Sequence, residues 1–280
     1  MKSASDCRLG RALELLDESV IRSSLKDEVI ERVGAFYIHH RIDSTNHFLS
    51  SVSPGPGFNG AICLAESQTA GEGRNGRRWI SPFGKNVYLS LGWQYPGGSA
   101  SVSGLSLAVG VAVARALFAL GITGLGLKWP NDILWNGKKL GGILIELWGE
   151  VQGPCSVVVG LGLNYAMSPA EGAEIEQEWV DLDTATDRSK PGRNRLVASL
   201  INEILPAVAG FDHTGLAPFL SEWRALDCMQ GKHAVLHMAG REIPGIVAGI
   251  SAEGLIQLYQ SNRELRSYAS GEVSFHPGRD

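Results

Sequence analysis

Short, continuous apolar runs mark buried strands along the first two thirds of this chain. Residues 61–65 (AICLA) and 87–93 (VYLSLGW) are two such runs, extending with their flanks to strands over 59–66 and 86–94. A third run predicts a strand over 35–42. Four more, at 125–129, 133–135, 140–147 and 156–164, predict a meander. Asn136-Gly137, the strongest short hairpin signal, joins the second of these to the third. Between the two groups, residues 99–120 are rich in Ala, Val and Leu and read as a core helix. Residues 104–123 are apolar enough to raise the question of a membrane span. Arg115 near the middle, with no second span elsewhere, makes this a helix buried in a soluble core.

The rhythm differs at the two ends. Over 9–33, Leu13, Leu16 and Val20 recur at helical spacing and predict about one and a half helices. Residues 171–193 are polar, first acidic and then basic, and read as a surface excursion; helices are expected over 194–208 and 215–226. Beyond 226–231 come short β-prone runs at 234–238, 246–250, 255–259 and 265–269. They alternate with turns at Ala239-Gly240, Glu253-Gly254 and Ser261-Asn262, the pattern of a small barrel. The expected organisation is a helical segment over 1–34, a large domain over 35–228 and a small β domain over 229–280.

The candidate chemistry lies where this pattern is interrupted. The link over 67–85 is far longer than a hairpin needs, and links of this length without structure of their own are usually functional or disordered. Residues 66–79 read ESQTAGEGRNGRRW. Gly71, Gly73 and Gly76 let backbone N–H groups approach a ligand, and Arg74, Arg77 and Arg78 offer forked donors for phosphate or carboxylate. Trp79 offers a flat face for stacking. A flexible, solvated basic loop would have the same composition. In LKWPNDILWNGKKLGGILIE (127–146), Lys128 ends an apolar run beside the Asn131-Asp132 turn, which suits an anionic ligand and Mg²⁺. An isolated lysine at a strand end more often simply reaches for water. Asp43 or Ser44 can cap a helix running to Val52. Gly160 and Gly162 weaken a strand unless something approaches its backbone, the alternative being a bulge or packing compromise.

Composition narrows the field. With 280 residues, 44% hydrophobic and 19% charged, the chain has the make-up of an ordinary globular protein, and its net charge of −4 argues against a general nucleic-acid binder. Cys7, Cys63, Cys155 and Cys228 lack the paired spacing of a zinc site or disulfide framework, so reduced thiols in the cytoplasm are the default. The N-terminus carries no hydrophobic signal core.

Five motifs occur in order: Asp43-Ser44-Thr45-Asn46, GEGRNGRRW, KWPND, KLGGILIE and GLGLN over 160–164. Together they resemble the bacterial biotin–protein ligases, whose loop usually reads G-R-G-R-x-G-R. The match runs from about Phe36 onward and departs from the pattern at Glu72, which replaces the first arginine. The resemblance implies an α+β fold: a class II synthetase-like mixed sheet flanked by helices, with a C-terminal SH3-like barrel. It also implies ATP-dependent attachment of biotin, through biotinoyl-5′-AMP, to a lysine of a biotin carboxyl carrier protein such as that of acetyl-CoA carboxylase. By resemblance, Ser44 and Thr45 would meet the ureido group with Gln68 on its other side, and Asn46, Glu72, Gly73, Gly160 and Gly162 would complete the biotin site. Lys128 would hold the biotin carboxylate and the α-phosphate, and Arg74 the adenylate. Arg77 would hold pyrophosphate, Trp79 would pack on adenine, and Asn131 and Asn164 would sit on the ATP side. Gly271-Glu272 would fold back over the nucleotide or form a plain turn. Mg²⁺ would arrive with ATP, without a dedicated carboxylate cage. The chain is expected to be a monomer or homodimer without a membrane anchor. Specific DNA binding is not expected, because the segment before Phe36 is about half as long as a winged helix-turn-helix needs. The rival readings are lipoyl or octanoyl transfer on a related fold, which the KWPND and glycine-loop motifs disfavour, and a non-catalytic biotin-binding regulator.

Overall fold

The computed structural model describes residues 13–52, 54–98, 102–149, 153–187 and 189–275; the helical positions expected from Leu9 to residue 12, and at 99–101, lie outside these. Two short helices, α1 (Glu18–Ser23) and α2 (Asp27–Ile30), open the described chain and pack on a later helix, α6 (Arg193–Ala209). Strand β1 (Phe36–His39), helix α3 (Thr45–Ser51) and strand β2 (Ala61–Ala65) form a crossover unit, so β1 and β2 run parallel. The loop follows, then β3 (Asn86–Tyr95), α4 (Leu105–Ala119), and the meander β4 (Leu125–Lys128), β5 (Asp132–Trp135), β6 (Lys138–Gly149) and β7 (Cys155–Asn164). The resulting seven-stranded sheet has the order β1-β2-β3-β7-β6-β5-β4, and every pairing other than β1–β2 is antiparallel.

Alternation along the central strands divides the interior in two. Ile62, Leu64, Val87, Leu89, Val157, Val159, Leu161 and Leu163 face one way and join α4 and α6 in the main core. Ala61, Cys63 and Val158 face the other way, toward Leu49 of α3 and Phe58. Strands β2 and β7 therefore bury both faces, which is why their sequences read as unbroken apolar runs. α4 is buried along nearly its whole length; Arg115 escapes to its rim, where its Nε donates to Glu222 at 2.8 Å. Among the described residues no helix is long and apolar enough to cross a membrane.

After β7 come α5 (Leu182–Ala185), α6, α7 (Phe211–Thr214), a 3₁₀ turn and α8 (Leu220–Leu226). The chain then enters a second, antiparallel sheet of β8 (His233–Met238), β9 (Arg241–Ile250), β10 (Ile256–Tyr259), β11 (Leu265–Tyr268) and β12 (Glu272–Phe275), in the order β11-β10-β9-β8-β12. Two features depart from the sequence reading. β9 starts five residues before the expected 246, its first half being polar and containing Pro244. β12, which carries no apolar run long enough to register, pairs with β8 and brings Glu272 toward the arginine loop.

Candidate active site

The face of the sheet opposite the main core carries the site. Residues directly opposed in an antiparallel pair share a face, so the register Tyr88–Gly162–Gly142 sets one cross-strand row and Ser90–Gly160–Leu144 the next. The glycines in these rows leave room. A Cβ on Gly160 would lie 2.2 Å from Asn46 Oδ1, and one on Gly162 would lie 2.4 Å from the Trp79 ring. Close approach of Asn46 and Trp79 therefore accounts for both glycines, and no bulge interrupts the ladder there. A cavity of about 420 Å³ opens over them.

One end of this cavity is neutral and buried. Ser44 caps α3 through its hydroxyl, which accepts the His47 N–H at 3.4 Å, while Asp43 turns instead to the Ser44 N–H. The Thr45 N–H donates to Gln68 Oε1 at 2.8 Å, and Gln68 Nε2 donates to Ser81 Oγ at 3.2 Å. Asn46 Nδ2 donates to Glu146 Oε2 at 2.8 Å and to the Leu144 carbonyl at 3.3 Å. Ser44, Thr45, Asn46 and Gln68 all line the cavity. Tyr88 lines it from the strand floor; its hydroxyl donates to the Pro82 carbonyl at 2.9 Å, and burial pushes the phenol well above its usual pKa.

The other end is cationic. Within the 66–85 loop the Gly73 N–H donates to the Arg77 carbonyl at 2.7 Å and the Trp79 N–H to Gly71 at 2.8 Å, making a narrow ribbon around the turn at Asn75-Gly76. Both turn residues have positive φ, +59° and +71°. Glu72, Gly73, Arg74, Arg77 and Trp79 line the cavity. Arg74 donates to the Gly271 carbonyl at 3.1 Å. Burial draws its guanidinium pKa down, while Glu272 and Asp132 oppose the shift. Arg77 pairs with Glu272 at 2.5 Å and Arg78 with Glu174 at 3.1 Å. Gly271-Glu272 thus meets the arginine loop. Trp79 lies over the glycine row with its indole N–H buried and without a partner among the described residues.

Asn131 lines the cavity and is held by its Nδ2 donating to the Ile143 carbonyl at 2.7 Å. Asn164 also lines it, with Nδ2 donating to the Val180 carbonyl at 3.1 Å. Lys128 is the predicted residue that does not. It opposes Asp132, which in turn opposes Gly142, so it is the outermost member of the lower glycine row. Asp132, its partner in the register, pairs with Lys139 at 2.8 Å. Lys139 is the lysine on the lining, 5.7 Å from the Trp79 ring centroid.

The polar stretch read as a surface excursion walls one side of the site through residues 174–177 and Trp179. It is held there by β-like bonds in which the Lys139 N–H donates to the Glu178 carbonyl and the Val180 N–H to the Lys139 carbonyl, both at 2.9 Å. Its last residue, Arg193, is fully buried against Glu66. Ser90, Glu146, Lys139 and this wall were not singled out from the sequence. Ser90 comes opposite Gly160 only through the pairing of β3 with β7, strands that are not neighbours in sequence.

Residues 38–164 match the family model described as biotin/lipoate A/B protein ligase. The chain is 40% identical over 233 residues to the bifunctional ligase/repressor BirA of Escherichia coli (strain K12), covering 83% of this chain and 71% of that protein. It is 34% identical over 225 residues to the biotin--[acetyl-CoA-carboxylase] ligase of Paracoccus denitrificans, covering 78% and 91%. In fold it resembles the biotin protein ligase from Aquifex aeolicus solved in complex with biotin and ATP, with a TM-score of 0.72 at 23% identity, covering 86% of this chain and 98% of that one.

Proposed function

Because this chain belongs to the biotin/lipoate A/B protein ligase family, we propose that it attaches biotin, at the expense of ATP, to a lysine of a biotin carboxyl carrier protein. The observation that carries this reading is one cavity with a neutral hydrogen-bonding end and an arginine-lined end, joined over a floor of glycines. A ureido ring suits the first end, a carboxylate and phosphates suit the second, and biotin's alkyl chain suits the floor between.

A carboxylate oxygen of biotin attacks the α-phosphorus of ATP, and the bond to the β-phosphate oxygen breaks to release pyrophosphate. The carrier lysine's amine then attacks the acyl carbon, loses a proton and expels AMP. Two anions must meet in the first step, so stabilising charge is the main task of the protein. We assign Lys128 to the carboxylate and α-phosphate, from its place at the end of the glycine row; Lys139 and Asp132 beside it fix the local charge. Arg74, inside the lining, holds the adenylate; Arg77 holds pyrophosphate after exchanging its contact with Glu272. Trp79 covers the adenine, and Asn131 and Asn164 fix the walls behind it. Closing the loop keeps water from a hydrolysable mixed anhydride. Among the described residues no group of three or more His, Cys, Asp or Glu could hold a metal. Mg²⁺ would ride on the phosphates of ATP.

The test is ATP–pyrophosphate exchange by the purified chain with biotin or lipoate as the acid. Exchange driven by biotin and not by lipoate supports the reading; exchange driven by lipoate alone overturns it in favour of lipoyl transfer.

A further inference from the structure

The neutral end of the cavity contains a hydrogen-bond chain that is one proton short. Asn46 Oδ1 lies 2.6 Å from Ser90 Oγ, Ser90 Oγ lies 2.8 Å from Thr45 Oγ1, and Thr45 Oγ1 lies 3.1 Å from Gln68 Oε1. Both ends of this chain are fixed as acceptors. The Asn46 amide nitrogen is committed to the Leu144 carbonyl, which can only accept, and to Glu146, so its oxygen must face Ser90. Gln68 Oε1 receives the Thr45 backbone N–H, which can only donate, so it too is the oxygen. Between two acceptors stand two hydroxyls, each with a single proton. Three contacts share two protons, and one oxygen pair is always without a hydrogen. Ser90 is fully buried, and Thr45 and Asn46 nearly so, where an unmatched acceptor is costly.

We infer that Ser90, which does not itself line the cavity, sets the selectivity of this end for a ligand group bearing N–H donors. This rests on the reading of the cavity as a biotin site. While Ser90 gives its proton to Asn46, Thr45 either gives its own to Ser90 and leaves the Gln68 contact bare, or gives it to Gln68 and leaves the Ser90 contact bare. In both arrangements the bare contact includes Thr45, which lines the cavity beside Gln68. A ureido ring supplies the missing N–H. A dithiolane or an alkyl terminus supplies none and leaves the shortage in place, and buried polar groups left unpaired in this way are a strong means of rejection. Ser90 is thus a positioning residue acting through Thr45, and Glu146 acts one step further back by orienting Asn46.

Two substitutions take the shortage away from Thr45 and Gln68 by different routes. Ser90→Ala deletes two contacts and one proton, so Thr45 gives its proton to Gln68 without competition and the unmatched acceptor moves to Asn46 Oδ1. Glu146→Gln adds a donor: the new amide lets Asn46 turn its NH₂ to Ser90, so three protons serve the three contacts of the chain and the unmatched pair moves back to Asn46 Oδ1 and the Leu144 carbonyl. Glu146 is only half-buried, so this variant keeps the test open if Ser90→Ala folds poorly. The readout is pyrophosphate exchange with biotin and with an isosteric analogue in which one ureido N–H is replaced by a ring oxygen. The unsubstituted chain should prefer biotin by roughly 10²-fold in kcat/KM. In both variants the preference should fall to about tenfold or less, through a KM for biotin raised about tenfold, with kcat and the KM for ATP within about twofold. A preference unchanged in Glu146→Gln, or one lost only through kcat, overturns the inference while leaving the biotin reading intact. No biotin-dependent exchange by the unsubstituted chain would remove the reading itself.

Discussion

The arginine loop is held at its root and at its crown by opposite means. At the root, Glu66 and Arg193 pair at 2.7 Å with side chains 2% and 1% exposed. Arg193 also donates to the Glu14 carbonyl, and the Leu16 N–H donates to the second Glu66 oxygen at 2.6 Å. Leu13 packs so closely on Gly84, at the far end of the loop, that an added Cβ would come within 2.4 Å of it. The segment over 13–16 therefore ties both ends of the loop to the start of α6. At the crown, the Arg77–Glu272 and Arg78–Glu174 pairs are largely exposed and join the loop to two separate elements, β12 and the acidic wall. Exposed pairs of this kind are worth about 0–1 kcal/mol each and weaken with salt, whereas breaking a buried one is severe. The hinge is thus fixed while the part that would meet the nucleotide can exchange its partners.

The sharpest way to break this contrast is at the root. Arg193→Ala strands the Glu66 carboxylate in the core and should cost about 3–5 kcal/mol of stability by urea unfolding. Glu272→Gln at the crown should cost no more than about 1 kcal/mol. Equal losses would mean that the two anchorages do not differ. The pair is not thereby worth 3–5 kcal/mol to the fold, since Arg193 Nε and Nη2 find no partner among the described residues.

Next in size is Lys128→Ala, which tests whether fixed charge at the sheet end or mobile charge on the crown drives adenylation. Losing a charge-assisted contact made in the transition state should slow pyrophosphate exchange by roughly 10²–10³-fold, about 2–4 kcal/mol, with unfolding nearly unchanged. Near-normal exchange would transfer that role to Lys139, the lysine already on the lining. Arg74→Gly should instead spare the chemistry and raise the release rate of the adenylate about tenfold or more, since one charge-assisted hydrogen bond is lost. Adenylate escaping into solution would then label exposed lysines of bystander proteins. Labelling confined to the carrier lysine would show that Arg74 does not retain it.

The same contrast explains what the sequence disclosed. β2 and β7 are buried on both faces, so AICLA and CSVVVGLGLN announce themselves as apolar runs interrupted by glycines at the ligand face. The loop is legible because glycines and arginines concentrate there. What escaped depends on pairings between distant residues. Arg193 reads as the end of a basic surface stretch, and its burial follows only from Glu66, 127 positions away. Ser90 reads as one small residue in a strand until the β3–β7 register sets it beside Gly160 and Asn46. Residues 174–177 are mostly exposed and polar, and nothing local distinguishes a cavity wall from a solvated loop. Lys128 was legible as a motif, but the pairing of its neighbour Asp132 with Lys139, the lysine on the lining, was not.

The smallest expected effect lies at Glu72, where the crown departs from its family. A carboxylate in a loop proposed to meet ATP and biotin should repel both unless it faces water. The ribbon provides for that: its bonds run from Gly73 to Arg77 and from Trp79 to Gly71, so the Glu72 N–H and carbonyl point away from the Arg78 strand. The Glu72 side chain is exposed, and its N–H has no partner among the described residues although the residue lines the cavity. The position therefore presents main chain to the cavity and side chain to solvent, between two glycines that keep the ribbon narrow. A residue used in this way tolerates glutamate. Glu72→Ala and Glu72→Arg should each change the KM for biotin only a few-fold, a shift of less than about 1.4 kcal/mol. If Glu72→Arg tightened biotin tenfold or more, the side chain would have to face the ligand, and the native glutamate would be weakening a site that an arginine completes.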